Sequence, residues 1–179
     1  MGDGMRTEAA EFRGVVERHQ RMVFSLALRV TGEYGTAEEV AQDVFLELFR
    51  SADRLTGEDH VRFWLRKVTV HRATDALRKR AHRPESGAEE WIDDLQGVQA
   101  EGDGAAGVGT FLEARLEELL GSLPEQMRVA VVLRYQEEML PDEIAKLLGQ
   151  PVATVKSNLQ RGLKLLRRKA EITMKEYVR

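Results

Sequence analysis

The stretch from Pro141 to Ala170, PDEIAKLLGQPVATVKSNLQRGLKLLRRKA, holds two helical patterns separated by a tight turn. The first opens on Pro141, which suits a helix start, and stops at Gly149, which suits a left-handed cap. Gln150-Pro151-Val152 makes the connection, and Thr154 is placed to cap the second, longer helix. A short helix, a turn containing Gly and a longer helix make the helix-turn-helix pattern. Its expected core is Ile144, Ala145, Leu148, Val155, Leu159 and Leu163, with Ala145 small where the two helices approach. Spacing then points Lys156, Ser157, Gln160, Arg161, Lys164 and Arg168 to the other side. Amide, hydroxyl and guanidinium groups are the types that read major-groove base edges, and the flanking cations would neutralise phosphates.

Charge sets this segment apart. The chain holds 30 Asp and Glu against 27 Lys and Arg, for a formal charge of −3. Yet no acid occurs from Ile144 to Ala170, where Lys146, Lys156, Arg161, Lys164, Arg167, Arg168 and Lys169 all fall. A solvated basic helix is the plain alternative, but solvated faces usually mix signs. Gly162 inside this helix costs about 1 kcal/mol relative to Ala, and close approach of another backbone is a reason to keep it.

Upstream, Phe12, Val15, Val16, His19, Val23, Leu26, Ala27 and Val30 recur at three- and four-residue steps, a helix ending near Thr31-Gly32. In TAEEVAQDVFLELFR, Thr36 and Glu39 read as a capping box. Val40, Val44, Phe45, Leu48 and Phe49 form its apolar side, while Glu38, Glu39, Gln42, Asp43 and Glu47 form an acidic, polar one. A third helical pattern starts near Asp59 and turns basic in HRATDALRKRAHR, where Arg72, Arg78, Lys79, Arg80 and Arg83 outnumber Asp75. Phe63 and Trp64 precede that cluster; each alone reads as core, but aromatic plus basic side chains also suit distorted or single-stranded nucleic acid. These three segments can bury their stripes as a small bundle. Residues 84–110 carry seven acids, no Lys or Arg, and frequent Gly, too little apolar surface to offset the entropy of ordering. Beyond them FLEARLEELLGSL resumes a helical pattern, and Ser122 with Glu125 reads as a second capping box, with EQMRVAVVLRYQEE continuing the helix. The expectation is an all-α chain of two small helical domains, residues 1–83 and 111–179, joined by an acidic flexible linker, 84–110.

Several function classes lack their residues. There is no Cys, so neither a disulfide framework nor thiolate chemistry arises. No apolar run approaches the roughly 20 residues of a membrane span, and the N-terminus has no signal-peptide core, so direct membrane insertion is not expected. His60, His71 and His82 recur every eleven residues without carboxylate or Cys neighbours to complete a metal site. Paired carboxylates, a Gly-rich phosphate loop and a nucleophile beside a base are absent too. The expectation is a non-enzymatic cytoplasmic protein with no metal and no cofactor.

Taken together the two halves resemble an extracytoplasmic-function (ECF) sigma factor of bacterial RNA polymerase, over about Glu11–Arg83 and Phe111–Arg168. TAEEVAQDVFLELFR is similar to the family's core-binding helix, FWLRKVTVHRATDALRKR to its promoter-melting and −10 segment, and LPEQMRVAVVLRYQEEMLPDEIAKLLGQPVATVKSNLQRGLKLLR to its fourth conserved region. The resemblance implies that Glu39, Gln42, Asp43 and Glu47 meet the beta-prime clamp coiled coil of core RNA polymerase. It implies that Trp64, His71, Arg72, Arg78, Lys79 and Arg80 serve −10 recognition and melting. Lys156, Ser157, Gln160, Arg161 and Lys164 would read the −35 element of promoter DNA, and an anti-sigma partner is implied as well. Two positions depart from the family pattern: His71 stands where Asn often captures a flipped base, and Pro141 where an ordinary residue starts the helix. Read from the residues alone, a stand-alone helix-turn-helix regulator with a sensory or dimerising N-terminal bundle stays open beside this reading.

Overall fold

The computed structural model describes residues 3–51, 55–81 and 106–177. Seven helices and no strand occur among them: α1 (Asp3–Thr31), α2 (Tyr34–Ser51), α3 (Glu58–Ala81), α4 (Ala106–Gly121), α5 (Glu125–Tyr135), α6 (Pro141–Leu148) and α7 (Val152–Tyr177). The expected all-α architecture is the observed one.

Helices α1, α2 and α3 pack pairwise into the N-terminal bundle. The α1 stripe is fully buried at Val23, Leu26, Ala27 and Val30, facing Ala37, Val40, Val44 and Leu48 of α2 and Leu65, Val70 and Ala73 of α3. Gly32, at φ 74°, ends α1 where a side chain would be strained. Helices α4 to α7 form the second bundle, built on the buried run Val129–Leu133 of α5 with Ile144, Leu147, Val155 and Leu159. The helix-turn-helix is α6 and α7: Pro141 opens α6, and Gly149, at φ 62°, closes it by donating its N–H to Ala145 O.

Each of the three expected side-chain caps gives way to a different start. Helix α2 begins at Tyr34, so Thr36 lies inside the first turn and its hydroxyl donates to the Glu33 carboxylate instead of pairing with Glu39. Helix α5 begins after Pro124 with no side-chain cap, because α4 runs on to Gly121 and the Ser122 hydroxyl turns back to Leu119 O at 2.6 Å. The segment from Phe111 is thus two helices, α4 and α5, broken at Ser122–Pro124. Helix α7 begins at Val152, and Thr154 sits within its first turn with its N–H on Pro151 O. Ser and Thr hydroxyls find local carbonyl or carboxylate partners as readily as cap positions, which is why pattern alone misplaces them. Helix α4 opens at Ala106, inside the segment read as linker, while residues 84–105 and with them Arg83 lie outside the described residues.

Candidate nucleic-acid interface

Helix α7 is held by Val155, wholly buried, and Leu159, with Asn158 also buried beside them. Leu163, expected in this core, is instead about a third exposed. Four residues overshoot one helical turn by about 40°, so two such steps carry Leu163 about 80° off the seam Val155 begins. Gly162 takes the seam position: a Cβ there would come 3.0 Å from Val131 Cγ2 and 3.4 Å from Met127 Cβ, both on α5. The glycine thus lets α7 lie close against α5, as its place in the sequence suggested. Leu148, likewise expected in the core, is half-buried, and Leu147 takes the buried place on α6.

The opposite side of α7 carries Lys156, Gln160, Arg161, Lys164 and Arg168 exposed, with Ser157 half-buried. The Arg161 guanidinium donates to Asn158 Oδ1 at 3.1 Å and to Ser157 O at 3.4 Å, which steadies it against its own helix. Asn158 carries no signal in the sequence pattern. Its buried amide looks like a core polar group, and only its contact with Arg161 connects it to the face. Among the described residues no carboxylate pairs with Lys156, Arg161, Lys164 or Arg168.

On the N-terminal bundle, Trp64 is half-buried against the core, whereas His71, Arg72, Arg78, Lys79 and Arg80 are exposed. Glu39, Gln42 and Asp43 are exposed on α2 and Glu47 is half-buried. The acidic and basic faces that sequence assigned to separate partners meet at Arg72. It donates to Glu47 Oε2 at 2.6 Å and to Asp43 Oδ2 at 3.1 Å. That hydrogen bond to Glu47, against desolvation by burial and helped by the charges of Glu47, Asp43 and Asp75, raises the guanidinium above its ordinary pKa. Arg80 pairs with Glu33 at 3.1 Å, and Arg78 reaches Glu125 of the other bundle at 3.0 Å.

The two bundles touch at further points that sequence did not flag. Arg66 of α3 donates from Nε to Glu137 Oε2 at 2.8 Å and from Nη2 to Glu137 O at 3.0 Å. Arg128 of α5 donates to Val30 O at 2.8 Å, Gly121 O at 2.5 Å and Leu123 O at 3.1 Å, serving carbonyls left over at the ends of α1 and α4. Burial lowers the Arg128 pKa, with the nearby Glu125 charge acting against it. Lys146 of α6 sits 5.7 Å from the Phe63 ring centroid. His71, Thr74, Asp75 and Arg78 of α3 face Glu125, Gln126 and Gln150 across a cleft of about 320 Å³. A second cleft, of about 400 Å³, is lined by Arg78 together with Asn158 and Arg161.

No helix among the described residues is long and apolar enough to cross a membrane. Residues 15–83 match the model of Sigma-70 region 2, and residues 113–166 match that of Sigma-70, region 4. The chain is 26% identical over 165 residues to the ECF RNA polymerase sigma factor SigW of Bacillus subtilis, covering 88% of this chain and 87% of that one. It is 27% identical over 172 residues to the ECF RNA polymerase sigma-E factor of Escherichia coli K12, covering 89% and 86%. Its fold is similar to that of the sigma factor RpoE of Bartonella quintana, solved in complex with the anti-sigma factor NepR. There the TM-score is 0.67 at 16% identity, over 90% of this chain and 98% of that one. With both regions matched in order and ECF relatives matched over most of their length, the chain belongs to the sigma-70 family, in its extracytoplasmic-function group.

Proposed function

We propose that this chain is a promoter-recognition subunit: it binds core RNA polymerase, directs it to −10 and −35 elements, and helps open the duplex without covalent chemistry of its own. The observation that carries the reading is the α7 face. Lys156, Arg161, Lys164 and Arg168 project from a helix-turn-helix whose residues 144–170 hold no acid, with no described carboxylate reaching them, on a chain whose other bundle matches region 2.

In this reading residues 1–83 are the unit that binds polymerase and the −10 element, residues 84–110 the connector, and residues 111–179 the −35 unit. Glu39, Gln42, Asp43 and Glu47 meet the beta-prime coiled coil, with Arg72 steadying Asp43 and Glu47 from behind. His71, exposed at the mouth of the first cleft with Thr74 and Arg78, is suited to stack on or hydrogen-bond an unpaired base. Trp64 supports that site from the core, while Arg78, Lys79 and Arg80 draw in phosphates. Lys156, Ser157, Gln160 and Arg161 read the −35 duplex with Lys164 on the backbone. The work is cytoplasmic, where the polymerase is. Because the Bartonella quintana relative was solved with an anti-sigma factor, an anti-sigma partner is proposed here too.

Mixing the purified chain with core polymerase and a promoter library tests the reading. Promoter-dependent transcripts with a defined start are expected. A chain that core polymerase binds no better than an unrelated repressor would be a stand-alone regulator instead. Arg161→Ala is expected to weaken −35 duplex binding roughly tenfold and to lower transcription while core binding stays intact. Normal transcription by that variant would remove Arg161 from the reading face.

A further inference from the structure

Asn158 stands where the packing of α7 asks for an apolar side chain. It is 4% exposed on the flank of the seam, one turn from Val155 and from Gly162 and next to Leu159. A leucine has nearly the same shape and would leave no polar atom to satisfy there. A buried amide is disfavoured unless its atoms are bonded, so the amide has a use beyond filling space. Among the described residues its oxygen meets the Arg161 guanidinium, whose Nη2 donates to Oδ1 at 3.1 Å. Only the oxygen end of an amide accepts from a guanidinium, which fixes the amide's orientation.

What this bond does follows from the shape of a guanidinium. Arg161 Nε donates to Ser157 O at 3.4 Å while Nη2 donates to Asn158 Oδ1. Nε and Nη2 lie on the side edge of the planar fork, so the helix itself occupies that edge. The end edge remains, one N–H of Nη1 and one of Nη2 running parallel. No described carboxylate takes it: Glu125, which lines the same cleft as Asn158 and Arg161, is held by Arg78 at 3.0 Å. Two parallel donors match the O6 and N7 acceptors of guanine in the major groove, the bidentate pairing that discriminates among bases. A freely swivelling arginine would offer either edge, to base or phosphate alike. One held by its side edge has given up that freedom before DNA arrives.

We infer that Asn158 is a positioning residue for −35 recognition, holding the side edge of Arg161 so that the end edge is the one offered to a guanine. Asn158 touches no base itself and acts through Arg161. The consequence for DNA rests on the promoter-recognition reading; the hold of Asn158 on Arg161 does not.

The test uses core RNA polymerase with the full-length chain, binding duplexes randomised across the −35 element, and the bound DNA is sequenced. The wild type should prefer guanine roughly tenfold at one position, and Arg161→Ala should lose that preference, which marks the position Arg161 reads. Asn158→Leu keeps the side-chain volume but has no acceptor. It should cut the guanine preference there about fivefold, leaving other positions and the salt dependence unchanged. Asn158→Asp keeps an acceptor oxygen and should retain the preference. If Asn158→Leu loses its helical circular dichroism, Asn158→Ala takes its place. In the free chain, arginine-selective NMR should show the Arg161 guanidinium rotating slowly in the wild type and in Asn158→Asp, and fast in Asn158→Leu. A folded Asn158→Leu chain with wild-type preference overturns the positioning role, as does fast rotation in the wild type. An equal loss of affinity for every sequence overturns it too, since Arg161 would then be holding a phosphate. Failure of the promoter-recognition reading would show differently, as a wild-type mixture that selects no sequence. That outcome removes the guanine assignment, while the rotation of Arg161 still decides whether Asn158 holds it.

Discussion

Helix α3 carries Arg66, Arg72, Arg78 and Arg80, and each meets a carboxylate supplied by another element: Glu137, Asp43 and Glu47, Glu125, and Glu33. Helix α7 carries Lys156, Arg161, Lys164 and Arg168, and no described carboxylate reaches any of them. Both helices look basic in sequence. The difference teaches that a cation's availability to DNA depends on which acids the tertiary structure swings toward it. The α7 cations stand clear of carboxylates as they are, whereas Arg66, Arg72, Arg78 and Arg80 of α3 must first exchange their partners.

That contrast can be broken most severely by reversing charge on α7. Lys156→Glu with Arg161→Glu should reduce −35 duplex affinity by at least about a hundredfold, read by fluorescence anisotropy at fixed salt, with helical content unchanged. An equal loss from reversing two α3 cations, measured on the same duplex, would erase the distinction between the helices.

Gly162→Val tests the seam that turns the α7 face outward. A Cβ there already falls 3.0 Å from Val131 Cγ2, so the larger side chain should cost about 2 kcal/mol in urea unfolding, with a loss of −35 binding. Full stability would mean that α5 and α7 can move apart and that the close approach is incidental.

The smallest effect is expected at Arg72. Its carboxylate partners are half-exposed, so Arg72→Ala should change stability by under about 1 kcal/mol, again by urea unfolding. A larger loss would make the α2–α3 ion pairs part of what holds the bundle, not only a surface awaiting partners.

The helices and the exposed cationic face of α7 were legible because their signals are local. Apolar residues three and four apart must share a side of a helix, so the α1 stripe and the outward set from Lys156 to Arg168 follow from spacing alone. Gly149 and Gly162 were legible for the same reason, since a left-handed cap and a close helix approach each call for a missing Cβ. Two four-residue steps from Val155, at Leu163, the drift of a 3.6-residue helix takes the side chain off the seam. The caps at Thr36, Ser122 and Thr154 failed because short hydroxyl side chains have several partners within reach, and neighbouring helix ends decide among them.

By itself, then, the sequence determined two helical units, a helix-turn-helix, an acid-free stretch from Ile144 to Ala170 and the family they belong to. Only the tertiary structure decided which charges are free. Arg72 finds its acids 25 and 29 residues away and Arg66 its acid 71 away, and Arg78 adds to its neighbour Asp75 a second acid 47 away. Helical periodicity orders neighbours within a few turns, but it holds no information about which elements will face each other across such separations. That is set by how the buried stripes pack, and it decides which cations of α3 find a carboxylate and which of α7 do not.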